Sequence, residues 1–165
     1  MRRDDAELRG RIAELDEIFA LLEADRGIKA MVIASGKPDN FMAGADIKEF
    51  TAIRSALEGE TLSRTGQAVM DRLEAVRVPV VAAIHGTCLG GGLETVLACR
   101  YRVASDDPRT ALGVPEVMLG LLPGAGGTQR LPRLIGVERA LDVIVSGDPL
   151  SAEQALELGV IDELR

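Results

Sequence analysis

AIHGTCLGGGLETVLAC, Ala83 to Cys99, passes from an apolar stretch through three consecutive glycines into a segment that continues as a helix, and it sets Glu94 directly behind the glycines. Glycine weakens the ends of regular structure and has no side chain to pack, so a triplet at such a junction marks a place that something approaches closely. The residues leading into it, VPVVAAIH from Val78 to His85, form an apolar run of strand length, with Pro79 near its start where a missing ladder donor is tolerated. Strand, glycine turn and helix in this order decide the fold class.

Reading outward, Leu8, Ile12, Leu15, Ile18, Phe19 and Leu22 recur at spacings of three and four, which makes Glu7 to Leu22 one amphipathic helix. KAMVIAS, Lys29 to Ser35, reads as a short buried strand, and GKPDN after it as a turn. Residues 47–75 read as mostly helical, interrupted around Gly59. Downstream, Leu93 to Cys99 is helical, Tyr101 to Ala104 is a third short strand, and GGTQRLPRLIG opens another helix near Thr128. Strand and helix alternate, so the expected fold is α/β with parallel strands, and ligands in such folds collect at the carboxyl ends of the strands. ASGKPDNFMAGAD and HGTCLGGGLE both stand at such ends.

The bulk properties narrow the function. A chain of 165 residues, 47% hydrophobic, suits one domain with a real core. No apolar run reaches the roughly 18 residues that span a bilayer, and MRRDDAELRG lacks the apolar segment of a signal peptide, so a cytoplasmic location is expected. Cys88 and Cys99 have no CxxC spacing and His85 is the sole histidine, which argues against a metal site. A net charge of −7 repels phosphates and 2% aromatic content offers bases little to stack on, so nucleic-acid binding falls away.

Gly90, Gly91 and Gly92 follow a strand and precede a helix, so their N–H groups can form an anion trap at the positive end of the helix dipole. The plainer reading is a turn for tight helix-on-sheet packing, and neither GxGxxG nor GK[ST] is present. MAGAD, 42–46, is a second loop in which Ala43, Gly44 and Ala45 leave backbone donors open. Two such loops at the ends of neighbouring strands can aim one N–H each at a single oxygen, as an oxyanion hole requires. Glu94 is by itself a first-turn carboxylate favoured by the dipole. Glu116, in GVPEVMLG, is either an exposed loop residue or a carboxylate whose burial would raise its pKa. The pair beside an oxyanion hole suits acid–base work on a carbonyl compound. LLPGAGGTQRLPRLIG, 121–136, brings another glycine group to a helix start, with Arg130 and Arg133 either solvated behind a capped helix or lining a pocket for an acyl chain or a phosphate-bearing ligand.

Together these residues resemble the crotonase, or enoyl-CoA hydratase/isomerase, superfamily. The resemblance runs from KPDNFMAGADIKEF through HGTCLGGGLETVLAC and GVPEVMLGLLPGAGGTQRLPRLIG to SGDPLSAEQALELGVID, roughly Lys29 to Asp162. SDDPRTALGVPE and LLPGAGGTQRLPRLIGVERAL are most similar to the hydratase portion of the bifunctional fatty-acid oxidation α subunits. The resemblance implies a ββα spiral of repeated units. It implies a thioester oxygen held by the N–H groups of Ala45 and Gly91, with Glu94 and Glu116 as the two catalytic carboxylates. Ala43, Gly44, Asp46, Gly90 and Lys37 would lie along the CoA moiety, and Gly124 near the acyl end.

Two carboxylates imply a hydratase of β-oxidation, with Δ3–Δ2 isomerisation and a catalytically inactive acyl-CoA-binding or assembly module as the alternatives. No cofactor is implied, since CoA belongs to the substrate. A homo-oligomer of the trimer type is implied, and membership of a larger fatty-acid oxidation complex. Family members begin with strands ahead of the first helix and end with further helices, so this sequence is expected to be a partial domain, with apolar faces at Leu141, Ile144 and Val145 left uncovered.

Overall fold

The first three apolar runs lie side by side. In the computed structural model, which describes residues 3–44 and 53–165 (3–13 by backbone alone), β1 (Met31–Ala34), β3 (Val80–Ile84), β5 (Tyr101–Ala104) and β8 (Glu163–Leu164) form one parallel sheet in the order β1-β3-β5-β8. Met31 faces Val80 and Val81 faces Tyr101. Along β3, Val80, Ala82 and Ile84 are buried while Val81 and Ala83 are half-buried, the period-2 alternation of a pleated strand.

A second sheet, which the apolar pattern does not announce, is built from shorter strands in the order β2 (Asn40–Met42), β4 (Thr87–Leu89), β6 (Ala111–Gly113) and β7 (Leu150–Ser151). Its pairs are parallel apart from β6 with β7. The chain therefore lays a strand in the first sheet, a strand in the second, and then a helix, as in β3, β4 and α3 (Gly91–Leu97). This is the expected ββα repeat. Part of GKPDN, read as a turn, is thus the start of β2. Asn40 faces Thr87 and Met42 faces Cys88, so β2 carries one residue more than its partner, a bulge that bends it beside the loop that follows.

The amphipathic helix α1 spans Arg3–Ala24 and seats Phe19 and Leu22 in the core. The Arg72 guanidinium lies 4.8 Å over the Phe19 ring and pairs with Asp16, while Arg77 donates to the Leu22, Asp25 and Ile28 carbonyls at 3.0–3.2 Å, closing the end of α1. Gly59 does not interrupt α2 (Ala56–Ala75). The helix starts at the N-cap Ser55, whose hydroxyl accepts from Glu58 N–H while Glu58 Oε2 accepts from Arg54 N–H, and such caps offset the roughly 1 kcal/mol cost of an interior glycine.

Leu93 and Val96 of α3, Leu112 of β6, Val114 and Leu131 are fully buried between the sheets and helices, each worth about 2 kcal/mol by area. Gly92 lets α3 sit on β2, because a Cβ there would overlap the Met42 carbonyl. The remaining helices are α4 (Gly127–Ile135), α5 (Val137–Ser146) and α6 (Ala152–Leu158), the last opened by a capping box between Ser151 and Gln154. No helix among the described residues is long and apolar enough to cross a membrane.

Candidate active site

The second sheet builds the site. From the carboxyl ends of its parallel neighbours β2, β4 and β6 the chain leaves as Ala43–Gly44, Gly90–Gly91 and Val114–Glu116. The sequence places ligand-binding loops after the apolar strands; they follow the three-residue strands that succeed those runs. Gly90 N–H donates to the Gly113 carbonyl at 2.8 Å, carrying the β4–β6 pairing one step past the strands. Gly90 then turns the chain with φ +56°, a left-handed value that disfavours a side chain, and caps α3 without a side-chain donor or acceptor.

The two small-residue loops meet. A Cβ on Gly44 would lie 3.3 Å from the Leu89 carbonyl and 3.9 Å from both Gly90 Cα and Gly91 N. Gly91 opens α3, where an N–H has no intrahelical acceptor, and a Cβ on it would meet nothing within 4 Å. Ala43 is exposed and Gly44 half-buried. Ala45 and Asp46, the expected second donor and a CoA contact, lie outside the described residues. Lys37 is exposed, and its carbonyl accepts from His85 Nε2 at 2.7 Å.

Glu94 sits on α3 one turn behind the glycines and is 2% exposed. It is not simply a dipole partner of its own helix. Its Oε1 accepts from Ala125 N–H at 2.8 Å and Gly127 N–H at 2.7 Å, so it caps α4, whose N-cap Gly126 has no side chain to do so. Burial pushes its pKa up, against the pull of these N–H groups and of the Arg130 charge.

Glu116 lies on a short 3₁₀ turn, Pro115–Leu119, and is half-buried. A Cβ on Gly90 would stand 3.0 Å from its Oε1, and its Oε2 is buried without a hydrogen-bond partner. Burial raises its pKa, and the Glu94 charge raises it further. Glu116 thus borders the Gly90 turn and Glu94 the Gly126–Gly127 turn, with the two carboxylates within electrostatic reach of each other.

Gly124 directly precedes Ala125, whose N–H donates to Glu94, and its carbonyl accepts from Ser63 Oγ at 2.6 Å and Gln67 Nε2 at 2.9 Å on α2. Arg130 is not solvated: its side chain is 9% exposed and pairs with Asp71 and Glu74 of α2. Sequence reasoning missed the Ala125 and Gly127 donors and the α2 contacts. The signal available was the glycine group ahead of α4, which needs an external cap.

Among the described residues no three His, Cys, Asp or Glu side chains gather as a metal site would need. Cys88 and Cys99 are buried free thiols whose pKa values burial pushes up to about 12 and about 11, so neither is a nucleophile near neutral pH.

The family profile described as Enoyl-CoA hydratase/isomerase matches residues 8–165. The chain belongs to the enoyl-CoA hydratase/isomerase family. It is 53% identical over 151 residues, 92% of its length, to the fatty acid oxidation complex subunit alpha of Shewanella sp. (strain W3-18-1). It is 57% identical over 149 residues, 90% of its length, to the protein of that name from Vibrio campbellii. The chain spans 21% of the length of each of these curated relatives. Among solved structures, the enoyl-CoA hydratase of Bacillus anthracis matches with a TM-score of 0.85 at 37% identity, over 93% of this chain and 58% of that one. The enoyl-CoA hydratase of Thermoplasma volcanium GSS1 matches at 0.85 and 31%, over 93% and 60%. The ββα spiral is therefore the fold of this family.

Proposed function

We propose that this chain carries the site of an enoyl-CoA hydratase, adding water across the 2,3-double bond of an enoyl-CoA thioester in fatty-acid β-oxidation. The observation that carries the reading is that the Glu116 carboxylate stands against the Gly90 turn while Glu94, on the helix that Gly91 opens, is near enough for its charge to raise the Glu116 pKa. Gly91 N–H, together with Ala45 N–H, would hold the thioester oxygen as negative charge builds on it. Glu94, whose Oε1 is fixed by two N–H groups that favour the anion, takes a proton from water as its oxygen bonds to C3. Glu116, whose pKa burial and the Glu94 charge raise, delivers its proton to C2. Water's hydroxyl and one proton are thereby added, and the two carboxylates return to their starting states by exchange with solvent. Ala43, Gly44, Asp46 and Gly90 would line the CoA end and Gly124 the acyl end. No cofactor takes part, since CoA is carried by the substrate.

The names of the relatives support a place in a fatty-acid oxidation complex. Exposed Leu141 and Val145 on α5 support self-association, for which the family resemblance implies a homo-oligomer of the trimer type; Ile144 packs on the core instead. The two free thiols support a cytoplasmic location. The test is hydration of crotonyl-CoA and of a longer enoyl-CoA, followed by loss of the conjugated thioester absorbance, in this chain and in one extended at both ends. Turnover supports the hydratase. Double-bond migration of a 3-enoyl-CoA without hydration would favour the isomerase, and binding without turnover the inactive module.

A further inference from the structure

A guanidinium as enclosed as that of Arg130 is costly unless its N–H groups are used. They are. Nε donates to Glu74 Oε2 at 3.0 Å and Nη2 to Asp71 Oδ1 at 2.7 Å, both on α2. Nη1 reaches the Ala125 carbonyl at 3.4 Å and occupies the space a Cβ on Gly126 would need, at a residue whose φ is +111°. The carboxylates that hold this buried arginine are themselves 72% and 62% exposed, so the pairing joins the surface of α2 to the turn ahead of α4. That turn presents the Ala125 and Gly127 N–H groups to Glu94 Oε1.

We propose that Arg130 is a positioning residue for Glu94: anchored by Asp71 and Glu74, it fixes the Ala125–Gly127 turn and so the two N–H groups that orient the carboxylate. Its effect on turnover rests on the hydratase reading; its effect on the turn does not. The charged groups facing Glu94 among the described residues are Glu116 from the 3₁₀ turn and Arg130 from α4, whose far side Asp71 and Glu74 neutralise. Arg130 favours ionised Glu94, so its loss moves the Glu94 titration to higher pH.

The test is amide hydrogen exchange of the chain by NMR, in the wild type, Arg130→Gln, Arg130→Lys and the double variant Asp71→Asn/Glu74→Gln. Arg130→Gln is expected to speed exchange at Ala125 and Gly127 by roughly ten- to a hundredfold, the worth of a hydrogen bond to a charged group, while the β3 amides keep their protection. The double variant leaves the core untouched and moves the same two amides in the same direction. In whichever form turns over enoyl-CoA, the acid limb of kcat/KM shifts to higher pH in Arg130→Gln and returns towards the wild type in Arg130→Lys. Unchanged exchange at Ala125 and Gly127, or exchange that rises only in step with β3, overturns the proposal; if Arg130→Gln does not fold, the double variant decides by the same criterion. Absence of turnover in every form, the extended chain included, defeats the hydratase reading and leaves the exchange result to judge Arg130.

Discussion

Gly127 donates its N–H to Glu94 Oε1 across 2.7 Å, and the same glycine leaves the carboxylate no spare room: a Cβ at Gly127 would stand 3.1 Å from both Cγ and Oε1 of Glu94. One residue thus supplies a hydrogen bond and a wall. Gly127→Ala should push Glu94 off its position while α4 remains formed, since alanine is a better helix residue than glycine. Turnover of an enoyl-CoA is expected to fall at least tenfold with the unfolding midpoint little changed, as measured by steady-state kinetics beside urea unfolding. Full activity would show that the 3.1 Å contact relaxes without moving the carboxylate.

Replacing either carboxylate by glutamine keeps its shape and removes its proton chemistry. For Glu94→Gln and Glu116→Gln turnover should drop by roughly 10²- to 10⁴-fold, with binding of a non-reactive acyl-CoA preserved in calorimetry. The pair is coupled, because the Glu94 charge raises the Glu116 pKa. In Glu94→Gln the Glu116 carboxyl should therefore titrate at lower pH than in the wild type, as read from its side-chain carbon resonance. An unmoved Glu116 titration would mean that the two groups do not sense each other.

The sequence made the first sheet legible and hid the second for one physical reason. β3 is a central strand whose apolar run stands out against its surroundings; β1, expected to be buried, is an edge strand with Val32 and Ala34 exposed, because it pairs on one side alone, yet its apolar run is as easily read. Thr87–Leu89 and Ala111–Gly113 are three-residue strands with glycines at or beside them, and pairing across the sheet, rather than composition, makes them strands. Glu94 and Glu116 were legible as a pair because each stands beside a glycine or proline turn in apolar surroundings. The role of Arg130 was not: its partners Asp71 and Glu74 are far away in the chain, and their spacing on α2 looks like any solvated helix face. The cap at Ser55 was readable, since Ser55 and Glu58 have the capping-box spacing, yet Gly59 drew attention to an interruption that the cap prevents.

The exposed side chains of Leu141 and Val145, 57% and 61% accessible, project from α5 while Val143 on the same helix is buried. Changing both to lysine should leave folding intact, because neither supports the core, and should weaken any self-association that buries them. Sedimentation velocity over a range of concentrations is the measurement. A wild-type chain that sediments as a monomer throughout removes the proposed association, and identical association in the variant places the contact on another face.

Stability should carry the signature of the two raised carboxylates. A group whose folded pKa lies above its unfolded value favours folding fully below the unfolded pKa, and that contribution is lost as pH rises through the folded pKa. Glu94 and Glu116 both have this sign, since burial outweighs the N–H groups at Glu94 and is reinforced at Glu116 by its neighbour's charge. Asp107, held down at about 2 by Arg109, has the opposite sign, and its contribution is lost only in strong acid as pH falls through that value. Above the ordinary glutamate range of about 4.5, then, ionisation of Glu94 and Glu116 destabilises the fold. Glu116→Gln cannot ionise, so its stability relative to the wild type should increase as pH rises from the ordinary glutamate range of about 4.5 through the folded pKa of Glu116, in urea unfolding at each pH from 3 to 8. The same substitution lowers turnover, so the site would trade stability for a half-buried acid with a raised pKa. A stability difference that stays constant from pH 3 to pH 8 would mean that Glu116 ionises in the folded chain as readily as in the unfolded one, against the raised pKa.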